Sequence, residues 1–289
     1  MVNAATNDTV VVDSAADGTA YVTASGRTST FSPGVLQSIA INAYGGQNTI
    51  RVLSVPSGVG VSVQGWYGGV DNVTIGNGTL ASVGGPVSVS NTSGNITVDD
   101  SADAAGRAVT VTNSSVQFAG LSPVTYSGTN SSLTVRGGSG TNSFAVLSTA
   151  GGTPLSVVTG AGQNAVSVGN NGSLAGIAAA VNVQHNSGSG STSLTVDDHN
   201  EYGRSADVNS GQVAFTGVAP VTYSNIDSLS VVGASGYNWI EVDSVPSGVP
   251  VTIYNTECNY VYGAAWWQVT QVYYPAYYVN YGAYGYFVG

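Results

Sequence analysis

The sequence predicts an all-β fold: a right-handed parallel β-helix (β-solenoid) of about 12 coils of 21–25 residues, arranged in three degenerate super-repeats. Three observations lead there. The chain resembles itself over a long period, a shorter period is nested inside the long one, and the apolar residues fall in β-rich runs with no helical periodicity.

The long period shows as blocks recurring in a fixed order. Asn95-Ile-Thr-Val-Asp-Asp100 matches Ser193-Leu-Thr-Val-Asp-Asp198, followed by Gly106-Arg107 and Gly203-Arg204, and Val10-Val-Val-Asp13 reads as a weaker first member. Pro123-Val-Thr-Tyr-Ser127 matches Pro220-Val-Thr-Tyr-Ser224, with Thr30-Phe-Ser32 as the first-copy echo. Ser38-Ile-Ala-Ile41, Ser132-Leu-Thr-Val135 and Ser228-Leu-Ser-Val231 come next, and Val55-Pro-Ser-Gly58 returns as Val245-Pro-Ser-Gly248. The super-repeats therefore span about 6–94, 95–190 and 191–260 of one solenoid over 1–260, and a Tyr/Trp-rich segment follows over 261–289.

The short period is marked by asparagine. Asn48, Asn72 and Asn95 lie 24 and 23 residues apart, Asn142 and Asn164 lie 22 apart, and Asn238 and Asn259 lie 21 apart. After these residues come Thr49–Val52, Val73–Ile75, Ser143–Val146, Ala165–Val168 and Trp239–Val242. Each is β-branched, alternates apolar with polar residues and is bounded by Gly, Ser, Asn or Pro, as a short strand is. Right-handedness follows from the general preference of parallel crossovers. Stacked at about 4.8 Å, such coils make a rod on the order of 55 Å long. A string of β-sandwiches is the rival, but it needs longer hairpin-linked strands, and Asn-Gly turn signals are few.

Composition excludes several functions. Charged residues make up only 7% of the chain, lysine is absent, and five arginines face fifteen acids for a net charge of −10. Such a chain cannot neutralise a run of phosphates, so no nucleic-acid partner is expected. No apolar run is long enough for membrane insertion. The single cysteine, Cys258, rules out an intrachain disulfide. Met1-Val2-Asn3-Ala4 lacks the features of a signal peptide, so an exported form would be a mature piece.

Gly137-Gly-Ser-Gly-Thr-Asn142-Ser-Phe144 has the spacing of the calcium β-roll nonapeptide, with Asn where that motif has Asp. Gly160-Ala-Gly-Gln-Asn164 and Gly233-Ala-Ser-Gly-Tyr-Asn238 are looser versions. A neutral amide removes the charge that draws in calcium. These asparagines are therefore expected in left-handed turns, bonding to neighbouring coils as amide ladders do. Together with the Leu-Thr-Val-Asp-Asp and Val-Thr-Tyr-Ser blocks, they resemble the β-strand-repeat segments of very large bacterial surface proteins over residues 6 to 260. The resemblance implies a secreted parallel β-helix and no catalytic residue.

The acids form the sharpest candidate sites: Asp13/Asp17, Asp99/Asp100/Asp103 and Asp197/Asp198/Glu201, read as the same place in each unit. No cofactor is required, but oxygen ligands so close together could hold Ca2+, with Asp99, Asp100, Asp103, Asp197, Asp198 and Glu201 as its candidate ligands. The alternative is ion pairing with Arg107 and Arg204. The chain is not expected to be an enzyme, because His185 and His199 stand alone in polar turns and the acids recur, whereas an active site is built once.

In the last 36 residues the composition changes, with ten of the seventeen tyrosines there. Trp266, Trp267, Tyr273, Tyr274, Tyr277, Tyr278 and Tyr281 are the candidates for capping the stack, for subunit assembly or for stacking on sugar rings. The expected function is a non-enzymatic structural or adhesive module of a bacterial cell surface or extracellular matrix. Its partners would be copies of itself, joined head to tail or laterally into filaments, or surface glycans. A carbohydrate-binding or polysaccharide-processing β-helix is the alternative, and an ice-binding solenoid is a minor one.

Overall fold

The structure, a computed structural model, describes residues 1–4, 7–66, 68–128, 130–186, 188–254, 260–262 and 271–273. These form an all-β chain without helices, in which twenty-seven strands make two mixed sheets of thirteen (sheet I) and fourteen (sheet II) strands.

The strands fall into three runs of nine. The first is β1 (Val2–Ala4), β2 (Thr9–Ser14), β3 (Ala20–Ala24), β4 (Arg27–Phe31), β5 (Ser38–Ala43), β6 (Gly46–Val52), β7 (Gly60–Gly65), β8 (Gly69–Ile75) and β9 (Val87–Ser90). The second is β10 (Ser93–Asp99), β11 (Ala108–Val111), β12 (Ser115–Phe118), β13 (Val124–Ser127), β14 (Ser132–Arg136), β15 (Ser143–Val146), β16 (Leu155–Thr159), β17 (Gln163–Val168) and β18 (Val181–His185). The third is β19 (Ser191–Asp197), β20 (Ala206–Asn209), β21 (Gln212–Phe215), β22 (Val221–Ser224), β23 (Ser228–Val232), β24 (Trp239–Val242), β25 (Val251–Tyr254), β26 (Tyr260–Tyr262) and β27 (Gln271–Tyr273).

For most of its length the chain changes sheet after every strand, so each strand meets its neighbour of the previous or next pass in parallel. Thus β6 pairs β8, β14 pairs β16 and β17 pairs β19. Once in each run it stays in one sheet for an antiparallel meander: β2–β3–β4, β11–β12–β13 and β20–β21–β22. In the second and third runs, the meander's last strand returns to pair in parallel with the strand two passes back, β13 with β9 and β22 with β18. Because nine is odd, the meander falls in sheet II, then sheet I, then sheet II.

This pattern corrects one reading of the sequence. The strands that pair across a meander are β1 with β5, β10 with β14 and β19 with β23. In register, Val2-Asn3-Ala4 stands where Val98-Asp99-Asp100 and Val196-Asp197-Asp198 stand. Val10–Asp13 lies on the first meander strand instead, and Asp13 and Asp17 are not counterparts of the later acids. The β3–β4 hairpin was hidden because its turn is Ser25-Gly26, left-handed at both residues (φ 50° and 73°), rather than an Asn-Gly pair.

Period-two alternation sends Val, Ile, Leu and Phe into one continuous buried cluster drawn from both sheets. In sheet II, Ile96, Leu133, Leu155, Val181 and Val221 stack in register, and in sheet I so do Phe144, Val166, Leu194, Leu229 and Val251. Burying each such side chain contributes about 1.5–3 kcal/mol. Outward positions carry short polar residues, as in the row Thr74, Thr97, Thr134 of β8, β10 and β14.

Candidate functional site

The acids after β10 and β19 gather around arginine. Asp100 is fully buried, accepts the Leu80 N–H at 2.8 Å, and lies 3.5 Å from Arg107 Nε, an ion pair too long to be a hydrogen bond. Arg107 donates to Asp103 Oδ2 from Nη2 at 2.7 Å and from Nε at 3.0 Å. Asp99 is turned away and accepts the Ser101 N–H at 3.2 Å. In the third run, buried Asp198 accepts the Leu174 N–H at 2.9 Å and Arg204 Nη1 at 3.1 Å, while Arg204 Nη2 meets Glu201 at 3.2 Å. Glu201 also accepts from the Ser173 hydroxyl, and Asp197 pairs with His199 at 2.7 Å.

Desolvation pushes the carboxyls of Asp100 and Asp198 above the usual range, against the pull of the Leu80 and Leu174 amides and of the arginines. Asp103 moves the other way, held down by the Ala105 N–H and by Arg107. Each acid group is thus a turn clamp: one buried carboxylate fastens a loop amide and a guanidinium. Among the described residues no three His, Cys, Asp or Glu side chains gather as a metal site. The clamped loops, Asn77-Gly-Thr-Leu-Ala81 and Asn171-Gly-Ser-Leu-Ala175, are a further repeat that the reading of the sequence missed.

Inside the strand entrances runs a polar ladder. Asn142 accepts the Arg107 N–H at 3.1 Å, and its amide donates to Gly138 O (3.0 Å), Gly140 O (2.7 Å) and Asn164 Oδ1 (3.2 Å). Asn164 donates to Gly160 O and Gly162 O at 2.9 and 2.8 Å. One run earlier, Asn48 accepts the Asp8 N–H at 2.8 Å and donates to Asp71 Oδ1 at 2.7 Å. Asp71 Oδ2 has no hydrogen-bond partner, and desolvation raises that carboxyl.

The expected contact between successive passes is present, but the expected left-handed backbone is not. Asn48, Asn72, Asn95, Asn142, Asn164 and Asn238 all have ordinary φ. They also belong to two ladders. Asn48, Asn142, Asn164 and Asn238 are buried, whereas Asn72 and Asn95 face outward and bond each other at 3.0 Å. His185 is likewise no exposed turn residue: it is 7% exposed at the end of β18 and lies within 3.2 Å of Thr159 and 3.1 Å of Thr192.

Trp266, Trp267, Tyr274, Tyr277, Tyr278 and Tyr281 lie outside the described residues, as does Asn259, and of Tyr273 only the backbone in β27 is described. The described chain holds an aromatic pair elsewhere. Ala43 and Gly65 are register partners at the ends of β5 and β7, so the next residues, Tyr44 and Trp66, turn outward side by side. Their ring centroids are 5.4 Å apart at 34°. Trp66 borders a recess of about 430 Å3 lined by Gln64, Gly65, Gly68, Asn91, Ser93 and Gly128. No family model, no curated protein and no solved structure matches the chain.

Proposed function

We propose that the chain is a non-enzymatic extracellular module, structural or adhesive, built as a right-handed parallel β-helix and able to associate with copies of itself at a bacterial surface. The alternation of the strands between two sheets supports the β-helix reading, with the meanders as three antiparallel excursions from it. One observation carries the self-association. Among the described residues, β1 and β4 are paired on one side only, and between them Val2, Val22, Ala24, Phe31 and Leu36 line a largely apolar mouth that Arg27, Ser29 and Ser38 also border. In the later runs the edge corresponding to β4 is filled by a parallel strand, β9 against β13 and β18 against β22. An open apolar strand edge recruits another chain, and a head-to-tail contact that does not close builds a filament.

The non-enzymatic part rests on the acids, whose carboxylates fasten loops and arginines rather than facing a shared cleft. Ca2+ is left out of this reading, since Asp100, Asp103, Asp198 and Glu201 already face Arg107 and Arg204. An ice-binding surface would need paired threonine rows, and the row Thr74, Thr97, Thr134 runs beside Asn72, Asn95, Ser132.

Sedimentation velocity and electron microscopy of the purified chain test the proposal. The expected result is concentration-dependent association that Ser29→Lys, which adds a second cation beside Arg27 on the β4 edge, abolishes. Monodisperse single rods at every concentration would overturn it.

A further inference from the structure

We infer that the recess beside Trp66 binds an uncharged pyranose unit of a glycan. The inference goes beyond self-association, which uses the mouth between the edge strands β1 and β4 and none of the residues lining this recess. Tyr44 and Trp66 are 42% and 49% exposed, on a chain whose outward strand positions are mostly serine, threonine and asparagine. Two aromatic rings on successive passes make a platform with one wet face, suited to the C–H face of a sugar ring.

The next pass adds no third ring. Its turn is Asn91-Thr92-Ser93, and the pass after contributes Gly128, so the indole stands beside an opening rather than under a neighbour. The opening falls within the size range of small-ligand sites. Asn91 and Ser93 are both left-handed, at φ 53°, two of only six described non-glycine residues in that region. A serine held there is uncommon, and such backbone concentrates at ligand sites. Gly65 passes beneath with no room for a side chain, because a Cβ would meet Asn91 O at 2.2 Å.

The polar groups of the recess are available. Among the described residues, the side chains of Gln64, Asn91 and Ser93 make no hydrogen bond. Two amides and a hydroxyl offer donors and acceptors together, as a vicinal diol or an acetamido group requires. No cationic residue lines the recess and the chain's net charge is −10, so uronate and sulfated glycans are disfavoured.

Isothermal titration of the full chain with cellohexaose and with chitohexaose tests this, with an oligogalacturonate of equal length as the charged control. At least one uncharged hexamer should bind. Trp66→Ala should weaken it at least about tenfold and Asn91→Ala severalfold, while Trp66→Phe keeps most of the affinity. Trp239→Ala, at an exposed tryptophan elsewhere, should leave binding unchanged, and sedimentation of Trp66→Ala should match the unaltered chain. The inference fails if neither hexamer binds, if Trp66→Ala and Trp66→Phe bind equally well, or if the oligogalacturonate binds best. None of these outcomes alters the sedimentation result on which self-association depends.

Discussion

The first and second runs of nine strands share a pairing pattern apart from the open edge of β4, and differ in the polar residues placed within it. Where the second run has the buried Asp100, the first has Ala4, and where it has Arg107, the first has Asp8. Where it bonds amide to amide across Asn142 and Asn164, the first bonds amide to carboxylate across Asn48 and Asp71. Where it has Tyr126, whose hydroxyl donates to Thr112 O, the first has Phe31. The backbone pattern therefore does not depend on any one polar set. What each set must do is satisfy the groups its own run buries.

The clamp gives the largest expected effect. Arg107→Leu leaves Asp100 buried beside no cation and should lower the unfolding free energy by about 3 kcal/mol in urea titration. Adding Asp100→Ala should recover much of that, since the first run manages with Ala4; a double variant no more stable than Arg107→Leu would break the comparison. Asn142→Ala comes next. It strands Gly138 O, Gly140 O and the Arg107 N–H, at a cost of about 2–3 kcal/mol, and Asn48→Ala should cost a similar amount if the two ladders are equivalent.

Tyr126 and Tyr223 are pushed up to about 12 by burial. A raised folded value means their contribution is complete below the unfolded value near 10 and is lost as pH rises from there through 12. Unfolding free energy should therefore fall by roughly 1 kcal/mol per tyrosine across that window. Tyr126→Phe with Tyr223→Phe should flatten the fall, after an initial loss of about 1 kcal/mol per removed hydrogen bond. The smallest change should be a gain. Asp71→Asn copies Asn164, keeps an oxygen for Asn48 and replaces the desolvated carboxylate, whose Oδ2 has no partner, with a neutral amide. It should stabilise the chain at neutral pH by under about 1 kcal/mol. Because the folded Asp71 carboxyl is raised, its favourable contribution is complete below its ordinary value near 3.8 and is lost as pH rises through the higher folded value. Asp71→Asn should erase that component of the acid-side profile.

The all-β character was legible because period-two alternation of Val and Ile is imposed by burial itself, and the runs at Thr49–Val52 and Ser143–Val146 fall inside β6 and β15. The asparagine spacing was legible but its meaning was not. Neighbouring strand residues face opposite sides, so a one-residue difference separates buried Asn48 from outward Asn72. The meanders were missed because their turns, Ser25-Gly26, Asn113-Ser114 and Ser210-Gly211, are weaker hairpin signs than Asn-Gly. For the acid turns, both readings were open in sequence, and only the distances to Arg107 and Arg204 show ion pairs. The Tyr44–Trp66 pair carries no motif at all. Its rings meet because Ala43 and Gly65 are partners in a sheet, a relation that 21 residues of intervening chain conceal.

The odd number of strands in each run makes copy number a matter of parity. Inserting or deleting a single nine-strand unit would carry every later meander, clamp and turn to the opposite flank, whereas inserting two would return them to the original one. Lineages that lengthen such a chain by duplication would therefore choose, with each added unit, which way its outer surface points.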